Sequence, residues 1–157
     1  MQVRHLLWGI LSILAQWLVL GRLQLWGAYP DVVLLYIAWI AFQYGRRTGM
    51  ITGFVAGFLM DAIYGDWGIQ MFVKTLVGFI VGLFPADERD TLIIRPQQGF
   101  LVGVFLALMH NGLLMTLLLL KSGTRNPTLI LSLWLGSALY TGILANLLVR
   151  FSAQSRS

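Results

Sequence analysis

The chain has 157 residues, of which 58% are hydrophobic and only 11% charged, and its mean hydropathy is +0.79. A soluble domain carries about 25% charged residues, so this chain cannot clothe a water-facing surface, and the bilayer is its solvent. The net charge of +5 gathers into no basic cluster larger than Arg46–Arg47, which excludes a nucleic-acid footprint, and the lack of cysteine excludes disulfides and thiolate chemistry. Two histidines, His5 and His110, are too few for a histidine-built metal site. The length suits one transmembrane domain over 1–157, with no room for a sizeable soluble one.

Residues 6–20 form an apolar run with Arg4 and His5 before it and Arg22 after it. A basic start and a short apolar core also suit a secretory leader, but the following GRLQLWGAYP offers no small-x-small cleavage site. The run therefore reads as a retained first span, 5–25, with Arg22 snorkelling to the interface. Gln16 within it is an interhelical hydrogen-bonding group or a tolerated polar residue. Trp26 and Tyr29 suit an interfacial connection.

Pro30 and Asp31 open the second span, 31–44. Proline presets the first-turn dihedral and an early carboxylate complements the positive helix end, so Asp31 reads first as a cap. Arg46 and Arg47 lie in the turn that follows. In the third span, 49–64, Gly49, Gly53, Gly57 and Asp61 recur every fourth residue, with Gly65 next in the series. Residues four apart lie nearly above one another on a helix, so this is a stripe without side chains that ends in a carboxylate. Such stripes let helices pack closely in lipid, and an intramembrane acid must face protein or a wet cavity.

Asp66-Trp67-Gly68 turns the chain into the fourth span, 70–84, where Lys74 lines up with Gly78 and Gly82, so the third and fourth spans read as an antiparallel hairpin with small residues on each. Asp61 and Lys74 fall at similar depth, so an ion pair between them is one of two expectations. The alternative is that Lys74 snorkels to the headgroups while Asp61 meets water. The connection 85–98 is polar and holds Asp87, Glu88 and Asp90, which read as solvated turn residues, while 92–94 are expected on the membrane surface. The fifth span, 99–120, carries His110-Asn111 at its middle. With no carboxylate nearby on the same helix, this pair reads as packing or a helix–helix hydrogen bond. Residues 121–127 form a short turn, and the sixth span, 129–150, repeats the small-residue pattern at Ala138, Gly142 and Asn146.

With six spans, Arg4, Arg46, Arg47, Arg89, Arg95, Arg150 and Arg156 fall on one side and Arg22, Lys121 and Arg125 on the other. The positive-inside rule then puts both termini in the cytoplasm. Spans two to four are shorter than the roughly 20 apolar residues that cross a bilayer comfortably, which calls for local thinning or help from the turns. A nucleophile–base pair, a phosphate-binding glycine loop and HExxH are all missing from the sequence, so a non-enzymatic role without a cofactor is expected.

The succession PDVVLLYIAW, GRRTGMITGFVAGFLMDAIYGDWGIQMF and KTLVGFIVGLF resembles the MreD family, over roughly residues 30–84. The matching positions are Pro30 and Asp31, then Gly49, Gly53, Phe54, Gly57, Asp61 and Gly65, then Gly78 and Gly82. Asp66 and Trp67 depart from the family's turn, which is usually small or apolar there. The resemblance implies an all-α integral membrane protein, a compact bundle of six transmembrane helices similar to the substrate-binding subunits of ECF transporters. It also implies a scaffold of the bacterial rod complex in the inner membrane, binding MreC and bearing on the RodA–PBP2 peptidoglycan synthase and MreB. On this reading the stripe Gly49–Gly53–Gly57 seats either MreC's helix or the chain's own neighbour. Two other classes are a small channel or transporter, thinly supported by His110 and Asn111, and an ECF-type subunit binding a vitamin, with Trp67, Gln70 and His110 as its candidate residues.

Overall fold

The computed structural model describes residues 3–24, 28–65, 68–84, 96–122 and 130–154. The connections expected to carry Trp26, Asp66, Trp67, Asp87, Glu88 and Asp90 lie outside the described residues. Helix α1 (Val3–Ala15) runs on into a π-helical stretch, Gln16–Leu20. Helix α2 is Val32–Tyr64, α3 is Ile69–Val81 and α4 is Pro96–Ser122. A second π-helical stretch, Ser132–Gly136, leads into α5, Ser137–Gln154. Among the described residues two helices are long and apolar enough to cross a membrane, Gln98–Leu120 and Leu133–Phe151, while His5–Leu20 and Ile69–Val81 are apolar but shorter.

Helix α2 contains a break at a single residue. Gly45 has φ 78° and ψ −177°, a backbone state that only glycine adopts without strain. Beyond it the chain folds back on itself: Val33 and Ile37 of the first arm pack against Ala56 and Met60 of the second. The helical segments expected at 31–44 and 49–64 run along these two arms. Their connection is tighter than expected, since Arg46 and Arg47 already belong to the helix on the far side of the break, where both are exposed.

The first arm of α2 is the centre of the molecule. Its Val33, Leu34, Ile37, Ile40 and Ala41 are fully buried. One side meets the second arm, and Ile13 of α1 joins that contact. On the other side Leu34 and Ala38 cluster with Val73 and Val77 of α3, Leu106 and Ala107 of α4, and Ala138 of α5. Around this core the surface is apolar: Leu7, Ile51, Phe72, Leu101, Phe105 and Phe151 are each more than half exposed, the inverse of a water-soluble fold.

The first helix stops sooner than the expected 25. The Gly21 N–H donates to the Gln16 carbonyl at 2.6 Å, five residues back, and the chain then turns at Arg22 and Leu23. The wider π turn accompanies a fully buried Gln16 side chain, whose Nε2 donates to the Pro30 carbonyl at 2.9 Å while its Oε1 accepts from Val32 N–H at 3.0 Å. Gln16 thus satisfies irregular backbone just before α2, backbone that lipid could not solvate. A Gln16→Leu variant strands a buried carbonyl and a buried N–H, so a loss of about 2–4 kcal/mol is expected, read as lowered thermal stability of the purified protein in detergent.

Candidate functional site

Helices α2 and α3 meet along a seam of backbone. A side chain begun at Gly49 would strike the carbonyl of Gly78, one at Gly53 the carbonyl of Lys74, and one at Gly57 the Cα of Met71, all closer than 3.0 Å. Reciprocally, Gly78 faces the backbone of Gly49, and Gly82 the backbone of Arg46. Each step of four along α2 is answered by a step of four back along α3, which fixes an antiparallel register. The stripe is therefore filled by the chain's own neighbouring helix. Phe54 points the other way and is half exposed. Gly65 does not pack at all: with φ 78° it ends α2 as a left-handed cap, its N–H donating to the Asp61 carbonyl at 2.8 Å.

Asp61 closes the seam, but not as the expected partner of Lys74. Its Oδ2 accepts from Gly68 N–H and Met71 N–H, each at 2.9 Å, and its Oδ1 accepts from Gln70 N–H at 3.0 Å. The carboxylate of one helix thus caps the next, taking up amides that α3 leaves without intrahelical partners and complementing its positive end. Removing it in Asp61→Ala leaves several of these N–H groups unsatisfied. A loss of about 2 kcal/mol or more is expected, measured as a lower unfolding midpoint, with Asp61→Asn falling between the two.

Lys74 turns instead toward the start of α2. Its side chain is fully buried, and Nζ lies 2.6 Å from Asp31 Oδ2 and 3.4 Å from His110 Nε2. Depth along the membrane did not decide the pairing. Both oxygens of Asp61 are already engaged by three amides, whereas Asp31 keeps one oxygen free after its Oδ1 accepts from Leu34 N–H at 2.8 Å. The expected capping role of Asp31 is present, and a second role is added to it. The Asp31 N–H in turn donates to Thr141 Oγ1 at 3.1 Å, and Tyr29 N–H to Ser137 Oγ at 3.1 Å, which ties the start of α2 to α5. On α4, His110 Nδ1 lies 3.0 Å from Asn111 Oδ1, so Nδ1 carries the proton and Nε2 offers its lone pair to the ammonium. Asn111 Nδ2 reaches on to the Leu133 carbonyl at 3.4 Å. The expectation of a helix–helix hydrogen bond at His110–Asn111 describes this arrangement, with the carboxylate supplied from another helix.

Asp31, Lys74, His110 and Thr141 thus bring together α2, α3, α4 and α5, and Gln16 joins α1 to the same point. The group holds no nucleophile poised beside a base, and its ionic members are enclosed. What it can do is hold helices in register, because an unpaired charge here would be far costlier than a paired one. Ser137 and Thr141 carried no signal of their own in the sequence beyond being hydroxyls in an apolar span. Of the candidate ligand residues, Gln70 is buried at the start of α3 and His110 in the core, and Trp67 lies outside the described residues.

Comparison with curated proteins and with solved structures gives no match. Comparison with protein families gives one covering residues 2–150, rod shape-determining protein MreD. That span takes in every residue of the polar centre and both sides of the glycine seam, and it extends the likeness well beyond residues 30–84. The chain belongs to the MreD family.

Proposed function

We propose that this MreD-family protein is a non-enzymatic scaffold of the rod complex. It crosses the bacterial cytoplasmic membrane six times with both termini inside, binds MreC, and helps regulate RodA–PBP2 peptidoglycan synthesis in concert with MreB. Membership of the family carries the role in rod-shape determination. The observation behind the scaffold reading is where the polar groups go. Asp31, Lys74, Asp61 and Gln16 are all engaged in fastening the chain's own helices, while large apolar side chains of the described helices face outward. A protein so built offers other membrane segments a stiff, helix-shaped surface.

Because α3 occupies the glycine seam, MreC is assigned to the outward faces rather than to Gly49, Gly53 and Gly57. The test is co-purification of MreC with this chain from cells producing both, followed by RodA–PBP2 glycan synthesis with and without the pair. Association with MreC and a changed rate of synthesis are expected. Failure of MreC to associate, or turnover of a substrate by the chain alone, overturns the reading. The topology is tested separately with Arg89→Cys, which is expected to resist a membrane-impermeant thiol reagent in intact cells. Labelling from outside would reverse it.

A further inference from the structure

Beside the glycine seam, on the outward side, α2 and α3 leave an open groove of about 260 Å³ lined by Met50, Phe72, Thr75, Leu76 and Phe79. Its wall is wholly apolar even at Thr75, whose hydroxyl turns back to donate to the Met71 carbonyl at 2.6 Å. The register of the seam gives the groove a direction. Phe72 lies between the levels of Gly53 and Gly57, and Phe79 sits one residue beyond Gly78, which faces Gly49. Met50 is one helical turn beyond Arg46 and Arg47. The groove therefore runs about 12 Å from the arginine pair toward Phe72, along the direction a lipid chain takes.

Both arginines are exposed, and among the described residues neither has an acidic partner. Elsewhere in the described chain Asp31, Asp61 and Lys74 are enclosed, and the Arg150 Nε donates to Asn146 Oδ1 at 2.9 Å; Arg22 is exposed as well, but it stands alone, next to Gly21 at the Tyr64 end of α2. Two exposed arginines without an acidic partner among the described residues, one helical turn from the Met50 end of a purely apolar furrow, match an amphiphile with an anionic head and an alkyl tail. We propose that this groove is a binding site for an anionic phospholipid, its phosphate held by Arg46 and Arg47 and one acyl chain lying along Met50, Leu76, Phe79 and Phe72. The site requires only that the chain sit in a bilayer, and it is independent of MreC binding. Guanidinium suits the head because it offers paired N–H donors to phosphate oxygens, and basic residues at a membrane surface concentrate anionic lipid.

The test is native mass spectrometry of the purified full chain in detergent, titrated in parallel with phosphatidylglycerol and phosphatidylethanolamine of the same acyl composition. Phosphatidylglycerol is expected to be retained about tenfold better. The double variant Arg46→Gln/Arg47→Gln should bring the two lipids to parity. Met50→Trp, at an exposed position, should reduce retention of both by filling the groove, and Leu76→Trp serves as a second filler. Arg22→Gln, far from the groove, should change nothing. Parity in the unaltered protein overturns the proposal, as does a loss with Arg22→Gln equal to that with the double variant, which would mean diffuse charge attraction. Unchanged retention in folded Met50→Trp and Leu76→Trp proteins removes the acyl seat. A photocrosslinker at position 50 in native membranes should yield a lipid adduct; a protein adduct would give the groove to a partner helix instead.

Discussion

Replacing Lys74 with methionine is expected to destabilise the protein by about 3–5 kcal/mol, the cost of leaving a buried carboxylate without its counter-charge. The value follows from the completeness of the enclosure: the ammonium has no exposed surface, and Asp31 is 7% exposed. Methionine conserves most of the volume, so the effect isolates charge from packing. Asp31→Asn should be milder in one respect, because asparagine still accepts from Leu34 N–H and keeps the cap, but it strands the ammonium. Combining Asp31→Asn with Lys74→Met removes both charges and keeps the cap, so stability should recover well above that of Lys74→Met alone. The measurement is the thermal midpoint of each protein in one detergent. A double variant no better than the single would mean that the 2.6 Å pair is not what holds these helices. Exchanging the charges is a poorer test, since lysine at 31 cannot cap α2.

The second large effect lies on the seam. At Gly53 even a methyl group points into the carbonyl of Lys74, and backbone, unlike a side-chain tip, cannot swing aside. Gly53→Ala is expected to separate α2 from α3 at a cost of about 1–3 kcal/mol, and Gly53→Leu to abolish folding, seen as aggregation on extraction and loss of a monodisperse peak. Gly65→Ala is a useful contrast, because a Cβ there meets nothing and only the positive φ is penalised, by about 1 kcal/mol. Were Gly53→Leu to fold normally and lose only MreC, the seam would have to be open to a partner after all.

Much of this fold could be read from the residues. The stripe Gly49–Gly53–Gly57 and its answer at Gly78 and Gly82 gave an antiparallel hairpin, because spacing of four on a helix maps directly onto one face. The polar centre was legible only in its parts. Asp31 as a cap, Gln16 as a hydrogen-bonding group and His110–Asn111 as an interhelical contact each followed from residue type and position. Their convergence did not follow, since it depends on how the first arm of α2 is surrounded, and that is a matter of packing among helices distant in sequence. The pairing of Lys74 failed for the same reason. A hairpin neighbour at equal depth looked sufficient, but the amides at the start of α3 had a prior claim on Asp61 that only three-dimensional proximity reveals. The plainly hydrophobic second segment, which carries no pattern beyond its Pro-Asp start, is the one the other helices surround.

The convergence on Asp31 has a consequence for biogenesis. Its counter-ion is encoded 43 residues later, and the hydroxyl of Thr141 that receives its amide comes 110 residues later. At ordinary elongation rates of about 5–20 residues per second, the carboxylate waits roughly 2–9 s before Lys74 is even synthesised. Burying that carboxylate in lipid before its counter-charge exists is costly, so the first hydrophobic segments are expected to settle late and together rather than helix by helix.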